Sequence, residues 1–349
     1  MMVTGDIHPA FESLAIKPRA HLTETVTLLQ PMTNLTEQIG GAALFVKRDD
    51  LLPLAMGGNK VRQLEYYFGE ALAAKADTVL ITGAVQSNFV RLAAAAARKL
   101  KMHCHVQLEE RVANDSREYR HSGNVLLDRL LGATIHSFAD GEDEAGADAN
   151  LEQIAEELRG EGKTPYVIHL GVGHPPVGSL GYVDAAIEIV AQLESSCLDI
   201  SRIVVASGSG ATHTGLLFGL RLLNVDIPVT GVCVRRDATQ QRSRISSHAR
   251  GIAQLLGCDN PVADSDILLD DRFLAPGYGK AGAAARQAIQ MAAHHEALLV
   301  DPVYTAKALA GAIDIAKDDA NGRILFIHTG GTPAVFGYAD AMLEACVDE

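Results

Sequence analysis

The chain has 349 residues, room for two domains or one large α/β unit, and 48% of them are apolar, enough for a sizeable core. Its 30 Lys and Arg against 43 Asp and Glu give a formal charge of −13. That argues against nucleic acid or an anionic membrane as partner, because both need basic surface, and leaves open a locally positive pocket for a small anionic substrate.

The five cysteines (Cys104, Cys197, Cys233, Cys258 and Cys346) form no Cys-x-x-Cys pair. They read as reduced thiols of a cytoplasmic protein, with Cys104 and Cys233 in apolar runs and therefore in the core. Residues 1–20 contain no apolar signal-peptide core, and no apolar stretch is long enough to span a bilayer.

Lys47-Arg48-Asp49-Asp50 reads either as a solvated turn or as an ion-paired anchor just ahead of a glycine-rich lysine loop. That loop is Met56-Gly57-Gly58-Asn59-Lys60, and apolar residues at Val61, Leu64, Phe68, Ala71 and Leu72 predict a helix with Lys60 in its first turn. The positive end of the helix dipole disfavours charge there, which predicts a lowered lysine pKa. A neutral amine is what a Schiff-base lysine needs. The alternative is a glycine turn with a solvated lysine.

Further along, Thr78–Thr82 reads as a strand followed by a helix over Phe89–Leu100, whose alanine-rich patch Leu92–Ala97 suits close packing on a sheet. His103–Leu108 and Thr134–Phe138 are strands flanking a helix at Asn124–Leu131. The acidic stretch Asp140–Arg159 is a loop running into a solvated helix, and Tyr166–Leu170 is a strand. A Gly/Pro-rich crossing, Gly171–Gly178, leads into a helix from Ser179 to about Leu193. Ile203–Ala206, Val229–Val234 and Ile324–His328 are further strands. This alternation predicts an α/β fold with mostly parallel sheets covered by helices on both faces. Asn59–Val61 and Gly171–Gly178 are the candidate domain junctions, and a cleft between two domains would suit a small-molecule site.

Ser207-Gly-Ser-Gly-Ala-Thr-His-Thr-Gly215 follows a predicted strand and opens a helix. Its converging backbone N–H groups, with the Ser209 and Thr212 hydroxyls, would cradle a phosphate; no Walker-type Gly-Lys-Ser/Thr ending is present. The alternative is a plain strand–helix turn. Gln86-Ser87-Asn88 stands at the C-terminal edge of a strand, where it would hold a carboxylate, cap a helix, or do both. Tyr278 in Pro276-Gly-Tyr-Gly279, and Tyr304 in Asp301-Pro-Val-Tyr304-Thr305, are site candidates or packing residues. His328-Thr329-Gly330-Gly331 ends the last strand. The remaining histidines, among them His103, His105, His121, His136, His169, His174, His294 and His295, show no paired metal-ligand spacing, so no metal is expected.

These segments in this order resemble the D-cysteine desulfhydrase and 1-aminocyclopropane-1-carboxylate deaminase family. The similar segments are Lys47–Asp50, Gly57–Lys60, Gln86–Asn88 with Arg91, Ser122–Asn124, Ser207–Gly215, Gly277–Gly279, Asp301–Tyr304 and His328–Gly331, so the resemblance runs from about Leu29 to Tyr338. It implies a fold-type II pyridoxal 5′-phosphate enzyme, related to the tryptophan synthase β-subunit, with two three-layer α/β/α domains. Residues 1–60 and 172–349 would form the larger, cofactor-binding domain and 61–171 the smaller, with the active site in the cleft between them. A homodimer is the implied assembly.

The resemblance also implies roles. Lys60 would hold the cofactor as an imine and remove the substrate Cα proton. Ser87 and Asn88 would hold the substrate carboxylate, with Gln86 and Phe89 beside it and Asn88 near the cofactor 3′-oxygen. Asn59 would bind the cofactor, Ser209, Gly210, Ala211 and Thr212 its phosphate, and Thr329 its pyridine nitrogen. A neutral hydroxyl there would leave a weaker electron sink, of the kind associated with β-elimination. Tyr278 and Tyr304 would line the substrate side of the ring.

The implied reaction is β-elimination, first from D-cysteine to pyruvate, sulfide and ammonia, with L-cysteate releasing sulfite as the alternative. The deaminase branch carries a glutamate after the second tyrosine; Thr305 stands there and argues against cyclopropane ring opening. A racemase, a β-replacing synthase and a silent cofactor carrier are further readings on the same scaffold, and a Rossmann-type oxidoreductase is a rival from another class. Phe89 replaces the usual histidine after Gln-Ser-Asn. Lys280-Ala281-Gly282 replaces the usual Val-Pro-Asn, and Lys280 would add a positive charge suited to a sulfonate.

Overall fold

The computed structural model describes residues 8–171 and 173–346. The first seven residues, part of the stretch read above for a leader, and Val172 in the Gly171–Gly178 crossing lie outside the described residues.

Among the described residues ten strands form two sheets. They are β1 (Leu29–Pro31), β2 (Ala43–Lys47), β3 (Thr78–Ala84), β4 (His103–Glu109), β5 (Thr134–Phe138), β6 (Pro165–Ile168), β7 (Arg202–Ser207), β8 (Val229–Cys233), β9 (Leu268–Asp270) and β10 (Arg323–Ile327). The first sheet runs β1-β2-β10-β7-β8-β9 and is parallel except for β1, which pairs antiparallel to β2. The second runs β5-β4-β3-β6 and is parallel throughout.

β3 shows why a continuous apolar run becomes a strand covered on both faces. Leu80 packs with Leu151, Ile154, Ala155 and Leu158 of the helix Glu144–Gly160. Val79 and Ile81 point the other way, into the core that holds the alanines of the helix Asn88–Lys99. Residues alternate between faces while both faces are dry, so the run loses the alternation of a half-wet strand. β7 and β10 repeat the pattern: Val204 and Phe326 join the cluster of the helix Thr305–Asp318, and Val205 and Leu325 the cluster of the helices Leu180–Ser195 and Ala211–Leu222.

The helix Lys60–Ala73 packs between the helices Asn88–Lys99 and Leu180–Ser195, so both its faces are covered. Val61, Leu64, Phe68 and Ala71 are buried as predicted, and so are Gln63, Glu65, Tyr66 and Tyr67 on the other faces. Leu72, predicted on the buried face, is exposed near the helix end. Lys47–Asp50 is the ion-paired anchor rather than a solvated turn. Asp49 accepts from Arg62 and Tyr182, and Lys47 pairs with Glu188, all buried or half-buried. Cys104 and Cys233 are core residues. Among the described residues no helix is long and apolar enough to cross a membrane.

Candidate active site

The carboxyl ends of both sheets open onto one cavity, where an α/β fold places its ligands. Asn59, Lys60, Ser87, Asn88, Gly208, Ser209, Gly210, Thr212, Tyr278, Tyr304 and Thr329 line it.

Lys60 is delivered by a strained turn. Ala55 and Met56 take φ of 41° and 67°, uncommon for residues with a side chain, and Gly57 follows at 67°. A Cβ on Gly57 would stand 2.0 Å from the Asp50 carbonyl oxygen, so only glycine fits. The buried guanidinium of Arg91 donates to the Gly57 carbonyl at 2.7 Å, and the Asn59 N–H donates to the Thr329 carbonyl at 3.0 Å. The lysine loop and the loop after β10 are thereby fixed together.

The ammonium of Lys60 meets Gln63 Oε1 at 3.3 Å and the Phe89 ring, whose centroid is 4.8 Å away. Burial lowers its pKa to about 8. The direction is the one the sequence predicts, but the cause is desolvation rather than the helix dipole.

Opposite, the helix Ala211–Leu222 starts after Gly210 with no side-chain cap. Its first-turn N–H groups lack intrahelical partners. Thr212 Oγ1 accepts from Asn59 Nδ2 and from Gln63 Nε2, each at 2.7 Å, so its own proton is left to donate into the cavity. A hydroxyl donor, uncapped N–H groups and a glycine-bounded turn make a cradle whose chemistry fits a phosphate.

Ser87 caps the helix Asn88–Lys99, its Oγ accepting from the Val90 N–H at 3.3 Å, and it also lines the cavity. Capping and lining, read as alternatives in the sequence, occur in one residue. Asn88 Oδ1 accepts from Asn124 Nδ2 at 2.9 Å, which leaves the Asn88 amide N–H groups for the cavity.

Gln86 is a correction to the sequence reading. It does not line the cavity: its amide donates to the carbonyls of Tyr119 and Ser122 and accepts from the Asn124 N–H, which braces the turn before the helix Gly123–Leu130. Lys280 is a second correction, since it is exposed and is absent from the lining. Ala211 opens its helix beside the cavity, facing an adjoining pocket with Ser209 and His248.

The Tyr278 and Tyr304 hydroxyls lie 2.6 Å apart. Burial, then the neighbouring Tyr278, holds the Tyr304 phenol well above its ordinary pKa, so it stays protonated. Thr305 is fully buried and its hydroxyl is spent on Asp301 Oδ2 at 2.6 Å.

Charged lining residues were not foreseen. Arg111 pairs with Glu109 at 2.7 Å at the end of β4. Glu144 takes three guanidinium groups at once, Arg235 at 3.0 Å, Arg236, and Arg244 at 3.3 Å. With Glu142, largely exposed, also on Arg235 at 3.3 Å, two carboxylates face three cations and leave positive charge at the cavity wall. The Arg236 pKa is lowered to about 10 by burial and then by Arg244, the mark of a cation short of counter-charge. Arg235-Arg236 immediately after a predicted strand was the available signal, since that position is the carboxyl edge of a sheet.

The family model for pyridoxal-phosphate dependent enzymes matches residues 21–330. The chain belongs to that family. It is 42% identical over 324 residues to a D-cysteine desulfhydrase of Salmonella typhi, covering 92% of this chain and 96% of the relative. A D-cysteine desulfhydrase of Salmonella newport (strain SL254) is 41% identical over the same share. Among solved structures, an ACC deaminase homologue superposes with a TM-score of 0.85 at 37% identity, over 97% of this chain and 99% of that one. An O-ureido-L-serine synthase, at 18% identity and a TM-score of 0.67 over 97% of this chain and 96% of that one, shares the fold. The fold-type II architecture expected from the sequence is the one these comparisons show.

Proposed function

We propose that this protein is a pyridoxal-phosphate-dependent carbon–sulfur lyase that converts D-cysteine to pyruvate, sulfide and ammonia. The observation that carries the reading is a half-buried lysine amine that, among the described residues, bonds only a neutral amide and faces an uncapped helix start across one cavity. The 42% identity to D-cysteine desulfhydrase over 92% of the chain supports the substrate.

When bound, pyridoxal phosphate supplies the electron sink that acidifies the substrate Cα–H bond. Lys60 Nζ would be its attachment point and, as a free amine, would be the base for the Cα proton. The Thr212 hydroxyl and the N–H groups of Ser209 to Thr212 would hold its phosphate, and Asn59 and Thr329 would bind the rest of the group. Ser87, Asn88 and the start of their helix hold the substrate carboxylate. Phe89 walls the lysine side and keeps water from its amine. The Tyr278–Tyr304 pair delivers a proton to the departing sulfur. Water then takes the eliminated product to pyruvate and ammonia.

We take residues 1–60 and 172–349 as one domain and 61–171 as the other, following the membership of the two sheets. A cytoplasmic homodimer is the form we propose. Leu130 and Phe336, exposed on adjoining helices, are surface a second copy would cover.

A second reading is favoured by one observation. Arg111 lines the cavity close to Tyr278 and Tyr304. A guanidinium there suits a leaving group that is already an anion, which supports L-cysteate and sulfite. Arg111, not Lys280, is then the sulfonate-facing cation.

The test is an absorbance spectrum with product assays. The visible band of lysine-bound cofactor is expected in the wild type and absent in Lys60→Ala. Sulfide with pyruvate from D-cysteine supports the first reading. Sulfite from L-cysteate, abolished in Arg111→Ala and kept in Lys280→Ala, supports the second. A band with no pyruvate from either substrate leaves a carrier, and no band at all overturns the assignment of Lys60.

A further inference from the structure

At the rim of the cavity three metal-ligand side chains meet that the lyase chemistry does not use. Asp148 lies one turn beyond Glu144 on the helix Glu144–Gly160, His169 directly follows β6, and His174 lies five residues further on. One ligand atom from each lies within 4.8 Å of the other two. Asp148 divides its oxygens between the rings: Oδ1 is 3.5 Å from His169 Nδ1, and Oδ2 is 3.5 Å from His174 Nε2.

His169 decides the reading. Its Nε2 is bonded to Glu152 Oε1 at 2.8 Å, while its Nδ1 is buried and makes no hydrogen bond. With the ring proton donated to Glu152, Nδ1 carries a lone pair and faces a carboxylate oxygen. Two lone pairs directed at each other repel, and either a proton on Nδ1 or a metal ion held between the ring and the carboxylate removes that repulsion. A histidine that binds metal through one nitrogen characteristically gives its other N–H to a carboxylate, which fixes the tautomer and the ring. Glu152 and His169 have that arrangement.

We propose that Asp148, His169 and His174 form a site for a divalent transition metal of borderline softness, Zn²⁺ or its analogue Co²⁺. Two imidazoles and one carboxylate are the donor set such ions take, and three protein ligands leave a position for water. With metal–nitrogen bonds of about 2.0–2.1 Å, tetrahedral ligands stand roughly 3.3 Å apart, so atoms that lie within 4.8 Å of one another draw in by up to about 1.5 Å. The two rings, now parallel with centroids 3.9 Å apart, splay to aim their nitrogens. His174 is exposed and free to do so. A Cβ at Gly171 would stand 2.7 Å from Asp148 Oδ2, so glycine keeps the ligand's approach open.

Bound metal would tie the helix Glu144–Gly160 to the segment that leaves the four-stranded sheet. Arg244 already joins the same two pieces, donating to the Leu170 carbonyl at 2.8 Å while pairing with Glu144. The metal would brace that junction from one turn away, on the wall of the substrate cavity.

The test is titration of the cofactor-loaded protein with Co²⁺, followed by its visible ligand-field bands. The background carries Cys197→Ser and Cys346→Ser, because both thiols are exposed. One equivalent per chain is expected to saturate the bands, and Zn²⁺ to displace it. His174→Ala and the double variant His169→Ala with His174→Ala lose the bands, while Glu152→Gln weakens binding by about 10-fold or more. Each variant is checked for an unchanged cofactor spectrum, and saturating Zn²⁺ raises the melting temperature of the parent but not of the double variant. Bands that persist in the double variant, or no saturable binding by the parent, overturn the proposal.

Discussion

Two lysines in this chain have their pKa lowered by burial to about 8, and their surroundings give them different work. Lys307 donates to the carbonyls of Leu274 and Gly277, at 2.8 and 2.7 Å, and so pins the turn that carries Tyr278. Lys60 has only Gln63 Oε1 and an aromatic face, and it opens on the cavity. A lowered lysine pKa means that the neutral, nucleophilic amine predominates above about 8, whereas an exposed lysine reaches that state only above about 10. The rate at which cofactor-free protein captures pyridoxal phosphate is therefore expected to rise with pH through an inflection near 8. Stopped-flow absorbance measures it, and an inflection near 10 would show that Lys60 is solvated. The Tyr278–Tyr304 bond makes a second expectation at this scale. Tyr278→Phe removes one hydroxyl of a 2.6 Å pair and should lower kcat about 10²-fold or more while leaving the bound-cofactor spectrum unchanged. An unaltered kcat would take the proton-delivery role away from the pair. Both residues were legible in the sequence as candidates, but their pairing was not, because they lie on separate segments.

At the scale of elements, the helix that presents Lys60 is held by charge as well as by packing. Arg62 donates to both oxygens of Asp49 at 3.0 and 3.1 Å and pairs with Glu188 at 2.8 Å. Burial alone would raise the Asp49 carboxyl, but the Arg62 guanidinium and the bonds from Arg62 and Tyr182 outweigh it and hold the group below its ordinary range. Glu188 is lowered for the same kind of reason. Carboxylates with lowered folded-state pKa values add stability that is present above the unfolded value of about 4 and lost as pH falls through the folded one. Asp49→Ala leaves two buried cations, Arg62 and Lys47, on the single Glu188 carboxylate, so denaturant unfolding at pH 7 should report a loss of about 3 kcal/mol, and the variant should lose less further stability in acid than the parent does. A loss under about 1 kcal/mol would mean that the network contributes specificity alone. The sequence left Lys47–Asp50 open between solvated turn and anchor, since Glu188 stands far along the chain and no local spacing reports it. β1, β2 and β9 escaped the sequence reading too. β1 and β9 are three-residue edge strands, and the half-buried alternation of β2 is brief.

Over the whole molecule, the lysine loop, the turn Ser207–Gly215 and Ser87-Asn88 were readable because each is a local signal at a strand's carboxyl end or a helix start. The charged wall was not, because it exists only where two sheets face each other. Glu144 belongs to a helix packed on the four-stranded sheet, while Arg235 and Arg236 follow β8 of the six-stranded one. Their contacts, with Arg244, bridge the cleft from one sheet to the other. Burial would raise the Glu144 carboxyl, but Arg236, Arg244 and Arg235 together hold it low, so it is an anion at neutral pH. Glu144→Gln removes that anion and leaves three neighbouring guanidinium groups with only the exposed Glu142, on Arg235, as counter-charge. Their repulsion should open the cleft and lower the melting temperature at low ionic strength. Salt screens such repulsion over about 10 Å at 0.1 M, and a divalent oxyanion would also fill the gap between the guanidinium groups, so sulfate should restore the variant further than chloride at equal ionic strength. The parent, whose arginines already share a carboxylate, should respond to both salts alike. Thermal melts of the two proteins in matched chloride and sulfate decide it. Equal melting temperatures at low salt would mean that Glu144 does not couple the two sheets.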